Sequence, residues 1–202
     1  YTRAILRDQV LWQAALIGSS AAADFGISRF ALMKAGKAVS PDILKSAMLI
    51  GALTEGQLAF DWLEKRYRES DSEQERVNVL IALGGFTDQA VIAKALDYVI
   101  HQVPARNQFI PIAAMSTNPS AIPLLWDWYT ANLSKIETFH PLLHERLITA
   151  IVPSAGLFRP DEIRSFFTDY LGQSEKAKDA IKLALEKLEI NLRLRSFWVR
   201  TV

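Results

Sequence analysis

Residues 72–91 read Ser72-Glu-Gln-Glu-Arg-Val-Asn-Val-Leu-Ile-Ala-Leu-Gly-Gly-Phe-Thr-Asp-Gln-Ala-Val91. The stretch is one amphipathic helix, a two-glycine stop and the start of a second helix. Ser72 supplies a capping hydroxyl, and Glu75 three residues on completes a capping box. Val77, Leu80, Ile81 and Leu83 recur at helical spacing and predict a buried stripe. Gly84 or Gly85 suits a left-handed turn, and Thr87 suits the cap of the helix that follows.

The same unit, a helix, a tight turn and an antiparallel helix, recurs outward in both directions. Towards the N-terminus, residues 2–17 carry Ile5, Leu6, Val10, Leu11, Trp12 and Leu16 mainly on one side, with Gly18 as the stop. Asp24 to Lys34 forms a second helix through Phe25, Phe30, Leu32 and Met33, ending near Gly36. Ser40-Pro41-Asp42 joins a hydroxyl cap, a proline at the first helical position and an acid in the first turn. That helix is expected to stop at Gly51, and Thr54-Glu55 to open the next, which buries Leu58, Trp62 and Tyr67.

Towards the C-terminus, a helix from Asp88 to His101 is followed by an apolar one over 106–116, where Pro111 implies a late start or a kink. Asn118-Pro119 repeats the start signal before a stripe of Ile122, Leu125, Trp126 and Tyr129, with Pro123 in the first turns. Further helices are expected over Pro141–Ile151 and from Pro160-Asp161-Glu162 to Gly172. A last one runs from Ser174 to Ser196 and places Ala177, Ile181, Leu185, Leu188 and Leu192 at steps of three and four. No run alternates with period two between turn signals, so no strand is expected. Roughly eleven helices with short links make antiparallel neighbours. One pair per roughly 30–45 residues predicts a single all-α domain over 1–202, a curved HEAT/armadillo-like array of antiparallel pairs with a concave binding face.

Composition narrows function. Lys plus Arg (23) nearly balance Asp plus Glu (22), so no global charge recruits nucleic acid or an anionic membrane. The absence of cysteine excludes disulfides, thiolate metal sites and a cysteine nucleophile, and leaves the compartment open with the cytoplasm as default. No apolar run approaches the roughly 20 residues that span a bilayer. The chain begins with Tyr1 inside a helical pattern, which reads as a fragment of a larger protein.

Candidate chemistry is sparse. His140 and His144 share a helical face, but a zinc site needs a third ligand and no His-Glu-x-x-His motif is completed; a cap and a surface histidine are expected instead. Gly84-Gly85 lacks phosphate-loop spacing, and no serine has a nucleophile-elbow context. Trp126-Asp127-Trp128 reads as core and groove residues, and Asn132-Leu133-Ser134 is formally a glycosylation acceptor. The pairs Asp161-Glu162 and Glu73/Glu75 fit helix first turns, and Arg193, Arg195 and Arg200 fit a helix C-terminus. No catalytic or metal-binding residue is assigned.

A resemblance adds more. Leu6-Arg7-Asp8-Gln9-Val10-Leu11 with Ala14-Ala15 and Gly18, then Val39-Ser40-Pro41-Asp42-Ile43-Leu44, then Phe60-Asp61-Trp62-Leu63 with Tyr67 and Glu75-Arg76 follow in order. Ala82-Leu83-Gly84 through Thr87-Asp88 comes next, then Asn118-Pro119 with Leu125-Trp126-Asp127-Trp128 and Asn132. Phe158, Ile163 to Phe167 and Glu189 to Asn191 complete the series. This pattern resembles the C-terminal helical domain of the gluzincin zinc aminopeptidases, the family of aminopeptidase N, the endoplasmic-reticulum aminopeptidases and the tricorn-interacting factors.

The resemblance implies a non-catalytic domain that encloses a substrate chamber and contacts peptide during N-terminal trimming. Its partners are then the catalytic domain of the same polypeptide and peptide substrates, and its zinc belongs to that catalytic domain, with no cofactor in this chain. Chamber-facing positions of the family match Gln9 and the turn at Gly85–Phe86, where some relatives carry a basic residue and this sequence has glycine and phenylalanine. The competing reading is an independent helical-repeat adaptor that binds a partner protein.

Overall fold

The computed structural model describes the backbone of residues 2–201 and the side chains of residues 6–197; the side chains of Ile5 and Arg200 lie outside the described residues, as does Tyr1. Among the described residues the fold is all-α, with twelve α-helices and no strand. They are α1 (Thr2–Leu16), α2 (Ser20–Lys34), α3 (Leu44–Glu55), α4 (Gln57–Glu69), α5 (Glu73–Ala82), α6 (Gln89–Gln102), α7 (Ala105–Met115), α8 (Ile122–Ala131), α9 (Leu133–Ile136), α10 (Pro141–Ala155), α11 (Pro160–Gln173) and α12 (Lys178–Thr201). Two 3-10 turns, η1 (Pro41–Ile43) and η2 (Leu83–Gly85), lead into α3 and out of α5. The chain forms two compact units, Tyr1–Val99 and Ile100–Val202.

The first unit is built round α3, which packs against α1, α2, α4, α5 and η2. Its residues Ser46 to Ala52 are all buried, as expected of a helix with neighbours on every side. Gly51, expected to stop this helix, lies inside it, and the chain turns at Gly56, with φ +52°. A Cβ at Gly51 would sit 2.4 Å from the Phe30 ring of α2, and one at Gly26 of α2 would sit 2.4 Å from Ile50 of α3. Each glycine receives the other helix's large side chain, so Gly51 serves packing, not termination.

The cap of α3 also differs from the expectation. Ser40 makes no capping bond. Instead Asp8 of α1, only 7% exposed, accepts from the Ser46 amide at 2.8 Å and pairs with Lys45 at 2.6 Å. Thr54 does not open α4 but bonds back to Ile50 O at 2.7 Å inside α3. In α4 itself Leu58 is 72% exposed, and Ala59, Phe60 and Leu63 face the core.

Ser72 caps α5, accepting from the Glu75 amide at 3.3 Å. The reciprocal arm of the box is absent, because Glu75 is held by Arg66 (2.6 and 2.9 Å) and the Ser70 hydroxyl (2.5 Å). Of the predicted α5 stripe, Leu80 and Leu83 are buried and Val77 and Ile81 half-buried. Neither Gly84 nor Gly85 is left-handed, since α5 tightens into η2 and Phe86 is extended. Asp88, not Thr87, caps α6, accepting from the amides of Ala90 (2.9 Å) and Val91 (3.0 Å).

The second unit is organised round α10, which packs against α7, α8 and α12. His140 is its cap, accepting from the Leu142 amide at 3.3 Å, with Pro141 at the first position. α10 continues past Ile151 and through Pro153, whose carbonyl accepts from Asn191 of α12 at 3.0 Å. α7 runs through Pro111 in the same way. Leu125, Trp126 and Tyr129 of α8 are buried as the spacing predicts. Ala177 lies outside α12 with φ +54°, so the buried face of that helix is Ile181, Ala184 and Leu188.

Candidate substrate-facing surface

Gln9 lies on the outward face of α1 with Leu6, Val10, Gln13 and Ile17, all exposed and at steps of three and four. Asp8, one residue earlier, points inward and clasps α3, and that clasp fixes which face of α1 is outward. Leu6 (51%), Val10 (64%) and Ile17 (83%) make this face apolar as well as exposed. Of the expected apolar stripe of α1, Leu6 and Val10 are exposed, whereas Leu11, Trp12 and Leu16 are half-buried.

Gly85 and Phe86 sit elsewhere. Both are buried, and the Phe86 ring lies 6.0 Å from that of Phe60. A Cβ at Gly85 would come within 2.7 Å of the Leu49 carbonyl, so the glycine permits close approach of η2 to α3. Gln9 faces solvent and the two turn residues face the interior; the three do not form one surface. Gln9 is reached through the family resemblance and not through the period of α1, which puts Leu6 and Val10 on the buried side; the burial of the turn depends on α3, which is distant in sequence.

The histidine pair does not make a zinc site. His140 Nδ1 is engaged by the Leu142 amide, and His144 is not on the surface but 3% exposed, its Nε2 2.9 Å from the Tyr129 hydroxyl. Burial lowers the His144 pKa, against an opposing pull from Glu137. Burial also raises the Tyr129 pKa, so both groups are held neutral. Among the described residues no group of three or more His, Asp or Glu side chains is placed to hold a metal ion.

Several of the remaining sequence candidates have structural partners. Trp126 donates from Nε1 to Glu162 at 2.9 Å, and Asp127 pairs with Arg159 at 3.0 Å, tying α8 to the start of α11. Asn132 donates its side-chain amide to the Trp128 carbonyl at 2.8 Å. Arg195 does not serve its own helix end but donates to the Leu157 carbonyl beyond α10, at 2.7 Å. Asp161 and Glu162 lie in the first turn of α11, where Arg164 also pairs with Asp161 at 2.7 Å.

The family described as ERAP1-like C-terminal domain matches residues 1–190 of the chain. The chain belongs to this family. Individual relatives are similar at low identity over most of the chain. Aminopeptidase M1-D of Oryza sativa subsp. japonica is 26% identical over 204 residues, covering 97% of this chain and 23% of the relative. Aminopeptidase M1 of Arabidopsis thaliana is 24% identical over 208 residues, covering 98% and 23%. Probable aminopeptidase 2 of Sulfurisphaera tokodaii is 22% identical over 156 residues, covering 75% and 19%. The chain thus spans less than a quarter of the length of these relatives. The ERAP1-like C-terminal domain match runs across both compact units. Among the described residues no single helix of this domain is long and apolar enough to cross a membrane.

Proposed function

We propose that this chain is the non-catalytic C-terminal domain of a zinc-dependent aminopeptidase, enclosing the chamber in which peptides are trimmed from the N-terminus. The observation that carries the proposal is the family match over 1–190, together with relatives that bear the aminopeptidase name and are about four times as long. In this reading the zinc and its ligands belong to the catalytic domain of the same polypeptide, and no residue of this chain takes a chemical step. The exposed apolar face of α1 supports the reading, because a face of that kind marks a surface that other protein covers or that ligand touches.

Gln9 is the residue of this chain that touches peptide directly. Its amide both donates and accepts, which suits a peptide backbone of any sequence. Gly85 and Phe86 act as positioning residues that set the turn between α5 and α6.

Two experiments test the proposal. The coding sequence upstream of Tyr1 should encode His-Glu-x-x-His and a downstream glutamate ligand; a start codon immediately before Tyr1 would overturn the peptidase reading. In the full-length protein, Gln9→Ala should raise KM for long peptides and leave turnover of a single-residue chromogenic substrate unchanged. Equal effects on both substrates would remove Gln9 from the chamber wall.

A further inference from the structure

Within the first unit, α1, α2 and the segment leading into η1 enclose an open cavity of about 400 Å3. That volume lies in the range of small-molecule sites. Its lining combines apolar side chains, chiefly Phe25, Leu32 and Ile43, with two guanidiniums, Arg7 and Arg29, and the Ser40 hydroxyl. No carboxylate lines it.

The two arginines differ. Arg7 meets Asp42 at 3.3 Å, so its charge is largely balanced. Arg29 is half-buried, lies 4.7 Å from the centroid of the Phe25 ring, and has no acidic partner among the described residues. Contact with a ring face occupies the flat side of a guanidinium and leaves its in-plane N–H groups for a planar anion. Ser40 is free of capping duty, because Asp8 has taken that role for α3. The cavity thus offers about one uncompensated positive charge, a spare hydroxyl and an apolar wall, which together match a monoanion with an apolar body. A phosphate dianion would meet too little charge and too much apolar surface.

We propose that this cavity is a binding site for a monocarboxylate bearing an aromatic or branched aliphatic group. The carboxylate sits on Arg29, with Ser40 as a second donor, and the apolar group lies against Phe25, Leu32 and Ile43. The ligand is either a free small acid or the terminal residue of a peptide; both present the same chemistry. The proposal does not depend on peptidase activity and is tested by binding alone.

The experiment is calorimetric titration of the full-length protein with 3-phenylpropionate and with its amide. A pentapeptide ending in leucine is titrated alongside, with a free and with an amidated C-terminus. The acid should bind saturably and the amide at least about tenfold more weakly, the scale of one charge-assisted hydrogen bond. Arg29→Gln should abolish the preference for acid over amide, and Ser40→Glu, an exposed change away from the core, should abolish binding by repulsion. Tighter, Arg29-dependent binding of the free-ended peptide identifies a peptide terminus as the ligand, and preference for phenylpropionate identifies a small acid. Equal binding of acid and amide, undiminished binding in Arg29→Gln, or no saturable binding of either acid would overturn the proposal.

Discussion

The two compact units each surround one central helix, but they differ in how the neighbours reach it. Round α3 the neighbours come close because side chains are missing. Gly26, Gly51 and Gly85 admit Ile50, Phe30 and the Leu49 carbonyl to distances that a Cβ would forbid. Beside α10 the space is filled by bulk. Trp126 stacks on Tyr129 at 5.6 Å, meets Phe166 edge-on at 5.1 Å, and Tyr129 in turn faces His144 at 6.1 Å. The second unit has one close glycine, Gly156, which receives Leu188 of α12. The difference teaches where to press each unit. The first, which has ring contacts of its own such as Phe60 with Phe86, is crowded against added atoms at its glycines, and the second leans on the cluster round Trp126.

The largest expected effect tests the second half of that statement. Trp126→Ala leaves a cavity among Tyr129, Phe166 and Phe167 and removes the bond to Glu162, and should destabilise by about 3–5 kcal/mol in a denaturant titration. A loss below about 1 kcal/mol would mean that the aromatic cluster is not what holds α8 in place. The mirror experiment adds one methyl group to the first unit. Gly51→Ala forces Phe30 aside and should cost about 1–3 kcal/mol, although alanine favours helix; a stabilised variant would show that α2 and α3 are not in close contact. Next, Asp8→Ala removes the clasp on α3 and should cost about 1–2 kcal/mol, read from the melting temperature.

A pH titration sharpens the comparison further, because only the second unit carries a buried histidine among the described residues. Burial lowers the His144 pKa in the folded chain below its ordinary 6.5, so the unfolded chain takes up the proton first as pH falls. The contribution of His144 is complete above pH 6.5, declines below it, and levels off under the folded pKa. Thermal melts of wild type against His144→Gln between pH 7.5 and 5 should show this slope in the wild type alone. The smallest effect is Leu58→Asp, a charge on a 72% exposed position, which should stay within about 0.5 kcal/mol. A larger loss would move α4's buried face back to Leu58.

These contrasts mark how far the residues alone could be read. Helix existence and many starts were legible because their causes are local: Ser72, His140-Pro141 and Pro160-Asp161 act within one turn of themselves. The role of Gly51 was not, since a glycine that ends a helix and a glycine that admits Phe30 look alike in sequence. Nor was the cap of α3, because its acceptor lies 38 residues away in α1 and displaces the nearby Ser40. The candidate site was no more legible locally. Gln9 comes from the family resemblance, and the period of α1 alone puts its neighbours Leu6 and Val10 on the buried side; the burial of Gly85 and Phe86 depends on contacts with α3 and Phe60.

The Asp8–Ser46 bond gives α1 a second identity, as the timer of α3. The Ser46 amide is buried and held by the carboxylate, so lifting of α1 opens it to exchange with solvent. The isotope-exchange rate of that single proton is therefore sensitive to opening of the contact between α1 and α3. Any ligand or neighbouring protein that settles on the exposed Leu6–Val10 face should slow that exchange without touching Ser46.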